Sequence, residues 1–225
     1  MVLLNNNIDK ISNYPFDRLR SLLSNTNTTE GFINIDLSIG QPYQKTPNFI
    51  KEIISSSFDK WHLYPPVGGI PELKKSYLDW VKRRFNISKN ISDKSILPLA
   101  GSKEGLFSIA LALAYTNIII PNPFYQAYLG PSIVNKVNTC YLNTNYDNDY
   151  LFDLEKLEQQ IEKKKSLVYF CSPSNPHGKN ASHSYLKKLI EIIRKNDATL
   201  LVDECYIDIY TKNKPVGALK VCLDC

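Results

Sequence analysis

From about residue 95 onward, short apolar stretches alternate with longer amphipathic ones, and this alternation limits the possible folds more than any other feature of the sequence. Each apolar stretch is about five residues long and ends at a turn signal, which is typical of buried strands. Strands that alternate with helices form a mostly parallel sheet covered on both faces by helices, so the predicted class is α/β. The predicted strands are Ile96–Leu99, Ile118–Ile120, Lys136–Tyr141, Leu167–Cys171 and Thr199–Val202.

Helices are predicted where apolar residues recur at helical spacing. The clearest case is Pro71–Phe85, because Leu73 and Val81 fall on one face and proline suits a first helical turn. The other predicted helices are Pro47–Phe58, 102–114, 153–164 with Asp153 as its cap, and Ser182–Lys195, with an amphipathic segment at 14–24. Outside these helices, two further stretches, Ile35–Ile39 and Ala218–Cys222, are strand-like.

Composition argues against several classes of protein. No run reaches the roughly 18 apolar residues that a membrane span needs, and the start of the chain lacks the basic and apolar regions of a signal peptide. We therefore expect a cytoplasmic protein without a membrane partner. The five cysteines are odd in number and widely spread, which argues against a disulfide framework.

The net charge is +5, and many basic residues fall in two short runs, Lys82–Arg84 and Lys163–Lys165, each at the end of a predicted helix. Cations are favourable at the carboxyl end of a helix, so these runs are interpreted as solvated helix ends. The sequence shows no continuous basic face with interleaved aromatic residues, so nucleic acid is not an expected partner.

The segment that follows the first predicted strand is a candidate anion site. Gly101-Ser102-Lys103 runs straight into a helix, where free backbone N–H groups and the Ser102 hydroxyl can bind an anion. The alternative is a tight turn with Ser102 as the helix cap, and for this segment alone the alternative is favoured. The segment matches neither glycine-rich nucleotide fingerprint, which argues against a nucleotide-binding module.

Aromatic and amide side chains follow later strands. Tyr125 comes after the second predicted strand, where its ring can stack on a flat cofactor or simply cover the core. Asn175 comes after the fourth, between Ser174 and Pro176, in a rigid turn that presents its side-chain amide. The neighbouring His177 is interpreted as an exposed turn residue.

The fifth predicted strand ends on Asp203. The apolar run before it carries the carboxylate toward the interior, where a carboxylate needs a cation or several hydrogen-bond donors. A protonated ring nitrogen meets this need, and Tyr206 is near enough in the sequence to reach the same ligand. The alternative is an aspartate that caps the next turn.

Taken in order, these segments resemble the fold-type I aminotransferases of classes I and II, over about residues 34–210. Each segment is weak alone, but six in one order and at matching intervals are hard to explain by chance. The six are 38–42 (Ser-Ile-Gly-Gln-Pro), Tyr64–Gly69, Gly101–Glu104, Pro123–Tyr125, Asn175–Gly178 and Asp203–Tyr206. Within the family, Ile96–Phe107, Asn122–Gln126 and Val202–Tyr206 are most similar to succinyldiaminopimelate aminotransferases, which act in lysine and cell-wall precursor synthesis.

This resemblance implies an enzyme with pyridoxal 5′-phosphate as its cofactor. It implies a homodimer that transfers an amino group from glutamate to a keto acid, for which N-succinyl-2-amino-6-oxopimelate is the candidate. An amino-terminal arm and part of a small domain are expected in residues 1–45. The cofactor-binding large domain is expected in residues 46–225, incomplete at its carboxyl end.

The resemblance also implies roles for individual residues around the cofactor. Ser102 and the backbone of Lys103 would bind its phosphate, and Tyr64 would reach across a dimer interface to the phosphate of the other subunit. Tyr125 would stack on the pyridine ring.

The remaining implied roles concern the polar atoms of the ring and the substrate. Asn175 and Tyr206 would hydrogen-bond the phenolic oxygen, and Asp203 would pair with the ring nitrogen and keep it protonated. Gly40 would contact the substrate carboxylate through its backbone.

The sequence departs from the family in its lysines. The lysine that binds the cofactor covalently is expected downstream of the Asp-x-x-Tyr segment, in a Ser-x-Ser-Lys context. The lysines after Asp203 are Lys212, Lys214 and Lys220, which stand among Asn, Pro and Gly, so none is assigned this role. We therefore expect the 225-residue chain not to transaminate alone, and to be marginally stable because of an unpaired edge strand. The alternative function is a non-catalytic remnant that binds the cofactor or a partner.

Overall fold

The protein divides into two compact units, one of Asn13–Ile70 and one that contains Pro71–Cys225. The functional division predicted between residues 45 and 46 stays a prediction. In the described part of the chain, no helix is long and apolar enough to cross a membrane. The computed structural model describes residues 7, 11, 15–26, 30–33, 35–162 and 164–225.

The described residues of the unit Asn13–Ile70 contain helices and no strand. The strand predicted at Ile35–Ile39 is therefore wrong, and Leu37 within it is exposed. An apolar alternation becomes a strand only where a neighbouring strand can pair its backbone N–H and C=O groups. The elements of this unit are helix α1 (Pro15–Leu23), helix α2 (Asn48–Ser56) and a 3-10 turn (Phe58–Lys60).

The unit that contains Pro71–Cys225 is built on a sheet covered by helices. Its strands are β1 (Asn117–Asn122), β2 (Asn138–Asn143), β3 (Ser166–Cys171) and β4 (Thr199–Asp203). Its α-helices are α3 (Pro71–Phe85), α4 (Ser102–Ala112), α5 (Gly130–Asn135), α6 (Leu154–Ile161), α7 (His183–Lys195) and α8 (Ala218–Asp224). Its 3-10 turns are Asp93–Ser95, Gln126–Tyr128 and Tyr146–Asn148. Asp153 caps α6 and Ser182 caps α7 through side-chain hydrogen bonds, which confirms those two helix starts.

Every pairing in the sheet is parallel, and the strand order is β2-β1-β3-β4. This confirms the predicted α/β class. The chain moves from β1 to β2 on one side and then crosses to β3 on the other, so the order reverses between β1 and β3. Ligands of such sheets bind at this switch point, beyond the carboxyl ends of the strands.

Alternate side chains of the strands point into two separate cores. On one face Ile119 and Val168 pack against helices α6, α7 and α8. On the other face Ile118 and Tyr169 pack against helix α4 and the ring of Tyr128. The two central strands, β1 and β3, are thus buried on both faces, as their continuous apolar runs predicted, whereas the edge strand β2 is largely exposed.

Two strand predictions in this unit are wrong. Ile96–Leu99 contains no strand, and Leu97 is 63% exposed. Ala218–Cys222 lies within helix α8, where Ala218 and Val221 are buried in the same core as α7. Buried positions three residues apart belong to a helix, but in so short a stretch helical and strand spacing cannot be told apart from sequence.

Helix α5 and the burial of one basic residue are not predicted by the sequence. Helix α5 begins at Gly130-Pro131, which resembles a turn. A Cβ at Gly130 would lie 2.5 Å from the ring of Phe107, so glycine permits close packing there. The run Lys82–Arg84 is not a solvated helix end throughout, because the side chain of Arg84 is only 9% exposed.

Candidate functional site

Asp203 ends strand β4 and is buried, with 7% of its surface exposed. Its Oδ2 accepts a hydrogen bond from the Tyr128 hydroxyl at 2.7 Å, and its Oδ1 accepts one from the backbone N–H of Cys205 at 3.2 Å. One oxygen therefore caps the following turn, and the other lies among buried side chains. No ion pair within the described residues involves Asp203. A carboxylate has about four acceptor positions, so Asp203 can accept a further donor.

Tyr128 is the residue of this site that sequence analysis did not assign. It is 1% exposed and its ring stacks on Tyr169 with 4.8 Å between centroids. Burial, together with the nearby Cys171 and Asp203, raises the pKa of the Tyr128 hydroxyl far above its ordinary value, so the hydroxyl stays protonated and donates to Asp203. The available signal was its place three residues after Tyr125, a residue to which the family resemblance gives a role at the cofactor.

The structure brings Asn175 and Tyr206 together. The side-chain amide of Asn175 donates to the Tyr206 hydroxyl at 3.2 Å. These residues follow β3 and β4, which are neighbours in the sheet, so their loops leave the same edge. Burial raises the pKa of the Tyr206 hydroxyl, which therefore keeps its proton at neutral pH. An amide and a protonated hydroxyl in contact can both donate to one ligand oxygen.

The turn that carries Asn175 is held by the loop that follows β2. The ring of His177 stacks on Tyr150 with 4.6 Å between centroids, and Lys179 forms a 2.5 Å ion pair with Asp149. His177 is half-buried, so its interpretation as an exposed turn residue is wrong. Both contacts lie within four residues after Asn175, and they restrict the position of the turn that presents its amide.

Ser102 and Lys103 begin helix α4, where the first backbone N–H groups have no helical acceptor. The ammonium of Lys103 lies 5.9 Å from the centroid of the Tyr125 ring. That ring meets Tyr128 edge-on, with 5.7 Å between centroids. Contacts thus connect the start of α4 through Tyr125 and Tyr128 to Asp203.

Gly40 and Tyr64 lie in the unit Asn13–Ile70. Tyr64 is 99% exposed. Their roles toward the substrate and the phosphate remain predictions, as do the roles of the residues described above.

Two cysteines border Asp203. Cys171 lies opposite Asp203 in the β3–β4 register, and the N–H of Cys205 binds the carboxylate. Burial, reinforced by the negative charge of Asp203, raises the pKa of Cys171 to about 11. Cys205 is exposed as a whole residue, but partial desolvation of its thiol and the same negative charge raise its pKa to about 12. Both groups are therefore thiols at neutral pH.

We expect iodoacetamide at pH 8.5 to alkylate Cys205 at least about 100-fold more slowly in the folded protein than in the protein unfolded by urea. An ordinary cysteine, with a pKa near 8.5, is about half thiolate at that pH, and only the thiolate reacts. The measurement is a time course of peptide masses. Because Cys205 is exposed as a whole residue, equal rates in the two states would contradict the pKa shift.

Comparison with known proteins assigns the family. The profile described as aminotransferase class I and II matches residues 33–223. The chain belongs to this family. It is 29% identical over 197 residues to the LL-diaminopimelate aminotransferase of Aquifex aeolicus, covering 85% of the chain and 51% of that protein. It is 32% identical over 184 residues to a probable aspartate aminotransferase of Methanocaldococcus jannaschii, covering 80% of the chain and 48% of that protein.

Solved structures support the same assignment. A Neisseria meningitidis aminotransferase is similar with a TM-score of 0.88 and 29% identity, over 98% of this chain and 57% of that one. A Helicobacter pylori aminotransferase has a TM-score of 0.83 and 30% identity, over 99% of this chain and 57% of that one. The chain spans about half the length of the curated relatives it matches.

Aminotransferases of classes I and II depend on pyridoxal 5′-phosphate. The residues described above fit this group. A buried carboxylate that has acceptor capacity, and no ion pair with any described residue, suits a protonated ring nitrogen. The contact between Asn175 and Tyr206 suits a phenolic oxygen, which needs donors.

Proposed function

We propose that this chain binds pyridoxal 5′-phosphate and serves the transfer of an amino group between an amino donor and a keto acid. The observation that carries the proposal is the buried Asp203 at the carboxyl end of β4, the neighbour of strand β3 that borders the sheet's switch point. Burying a carboxylate at such a place costs folding free energy unless a ligand supplies a cation or a strong hydrogen-bond donor.

In this proposal each residue performs one task on the cofactor. Asp203 holds a proton on the ring nitrogen, and Tyr128 keeps the carboxylate oriented. Asn175 and Tyr206 bind the phenolic oxygen. When bound, the cofactor supplies an electron-withdrawing ring that takes up the electron pair released at the substrate's α-carbon.

The phosphate and the open face of the ring are assigned to the start of α4 and its neighbour. Ser102 and the backbone N–H groups at that helix start bind the phosphate, helped by the helix dipole. The nearby Lys103 adds positive charge, and Tyr125 covers the ring. A cytoplasmic homodimer, with Tyr64 reaching the other subunit and Gly40 at the substrate, is part of the proposal.

For the substrates we propose dicarboxylic amino acids and their keto acids. The names of the two relatives above, an LL-diaminopimelate and a probable aspartate aminotransferase, refer to amino acids with two carboxylates. Glutamate, the proposed donor, is a dicarboxylic amino acid, and N-succinyl-2-amino-6-oxopimelate, the proposed acceptor, is a keto acid whose pimelate backbone carries two carboxylates.

The test is equilibrium dialysis of the purified 225-residue chain against pyridoxal 5′-phosphate, with detection by absorbance. We expect saturable binding at one site per chain. Pyridoxal without its phosphate is the matched control and should bind at least about tenfold more weakly, because a lost phosphate contact costs more than about 1.4 kcal/mol. Binding that does not saturate would overturn the proposal.

A second candidate function, cofactor binding without catalysis, is favoured by the lysines after Asp203. Lys212 and Lys214 are exposed, and Lys220 forms an ion pair with Asp224 at 2.9 Å within α8. The dialysis samples distinguish the two functions after reduction with borohydride and mass spectrometry. A lysine that carries the cofactor, together with turnover of glutamate, would exclude the non-catalytic function for this chain.

A further inference from the structure

We infer that Arg84, at the end of helix α3, positions Tyr206 for the phenolic oxygen of the cofactor. This inference rests on the proposed function, because it concerns how one of the proposed cofactor contacts is held. Arg84 itself is a positioning residue, because none of its hydrogen bonds within the described part of the chain reaches a residue assigned to the cofactor.

Arg84 is unusual for a basic residue at a helix end, because its side chain is only 9% exposed. Its Nε donates to Oδ1 of Asp208 at 2.5 Å, and its Nη2 donates to the backbone carbonyl of Ile207 at 2.9 Å. The same Nη2 lies 3.4 Å from the carbonyl oxygen of Pro215. One guanidinium therefore connects two ends of the loop between β4 and α8.

These contacts lie next to Tyr206 in the chain. Ile207 is its immediate neighbour, and the N–H of Ile209 donates to the Tyr206 carbonyl at 2.9 Å. The N–H of Ile207 in turn donates to the carbonyl of Glu204 at 2.9 Å. Because consecutive turns link these residues, fixing the Ile207 carbonyl fixes the backbone from which the Tyr206 side chain projects.

The end of the β4–α8 loop that lies next to α8 also packs against helix α3. The half-buried carboxylate of Glu204 accepts the N–H of Ala218, and a Cβ at Gly217 would lie 2.5 Å from the ring of Phe85. The guanidinium of Arg84 also lies over Phe85, 4.8 Å from its centroid. Helix α3 thus contacts the loop near both of its ends, and Arg84 is the shared contact.

A lysine cannot replace these contacts. The planar guanidinium donates in several fixed directions at once, whereas an ammonium is a compact point charge on a flexible stem. Arg84→Lys keeps the charge and most of the apolar stem but removes the simultaneous bonds to the loop. Arg83→Lys is the matched control, because Arg83 is the adjacent residue, is exposed and belongs to the same basic run.

The experiment is a double-mutant cycle on the affinity of the 225-residue chain for pyridoxal 5′-phosphate, measured by equilibrium dialysis. We expect Arg84→Lys to weaken binding by about fivefold to tenfold and Arg83→Lys to leave it unchanged. In a Tyr206→Phe background, Arg84→Lys should cause no further loss, because the hydroxyl through which it acts is absent.

The outcomes separate positioning from a general structural role. Equal losses in the two backgrounds, or no loss in either, would overturn the inference while the proposed function stands. A wild-type chain that does not bind the cofactor would overturn the proposed function first and this inference with it. If Arg84→Lys does not fold, Asp208→Asn removes the ion pair from the other side, and its loss should likewise vanish in the Tyr206→Phe background.

Discussion

Replacing Asp203 by Asn is expected to weaken the binding of pyridoxal 5′-phosphate on the order of 30-fold to 100-fold, without destabilising the cofactor-free protein. The amide is nearly isosteric with the carboxylate, but it lacks the negative charge that favours a protonated ring nitrogen. It can also present an N–H₂ donor where the ring presents a donor of its own. Of the proposed contacts to the cofactor, this one therefore carries the largest expected effect.

The same substitution should leave the free energy of unfolding within about 1 kcal/mol of the wild-type value. Asp203 is buried and belongs to no ion pair among the described residues, so the cofactor-free protein gains little from its charge. An asparagine oxygen still accepts a bond from Tyr128 or from the N–H of Cys205. The negative charge at position 203 is therefore expected to matter for cofactor binding and not for folding.

Dialysis and urea unfolding measure the two expectations on the same samples. Asp197→Asn is the matched control, since Asp197 lies just before the opposite end of β4 and is exposed. It should change neither quantity appreciably. Unchanged affinity in Asp203→Asn would remove the central support for the proposed function, and a loss of stability without a loss of affinity would make Asp203 a structural residue.

Replacing Leu189 by Ala is expected to lower the free energy of unfolding by about 2 to 5 kcal/mol, in contrast to the Asp203 replacement, which should lower affinity and not stability. Leu189 lies on helix α7, is completely buried and belongs to the core on the face of the sheet covered by α6, α7 and α8. Truncation removes apolar burial and leaves a cavity that the surrounding helices and strands fill only in part. Since Leu189 belongs to the core on the face of the sheet opposite to that of Tyr128, the folded fraction should bind the cofactor as the wild type does.

Urea unfolding measures the stability of the variant, and equilibrium dialysis at urea concentrations below the unfolding transition measures the cofactor affinity of the folded protein. The matched control is Leu111→Ala, the same chemical change at a leucine that is 43% exposed on α4, which should cost about 1 kcal/mol or less. A loss of affinity in folded Leu189→Ala would show that this core and the carboxyl edge of the sheet are coupled. A loss of stability no greater than that of the control would contradict the assignment of Leu189 to the core.

Local signals in the sequence were sufficient for the α/β class and for most helices. Strands β1, β3 and β4 are continuous apolar runs, and helices α6 and α7 carry the Asp153 and Ser182 caps that mark their first turns. Such signals lie within a few residues of the element they specify, so one sequence contains them. The six motifs, taken in their order along the chain, indicated the aminotransferase family, and the matching profile confirms it.

Contacts between distant parts of the chain were decided only by the tertiary structure. Tyr128 reaches Asp203 across 75 positions, and Arg84 reaches Asp208 across 124. In its local sequence, Tyr128 is like an ordinary aromatic residue in a turn, and Arg84 is like a solvated residue at a helix end. Periodicity reports which side of an element is buried, but the partner of a buried polar group depends on which elements the fold places side by side. The same limit explains why Ala218–Cys222 was mistaken for a strand, since its helical form depends on packing in the core shared with α7.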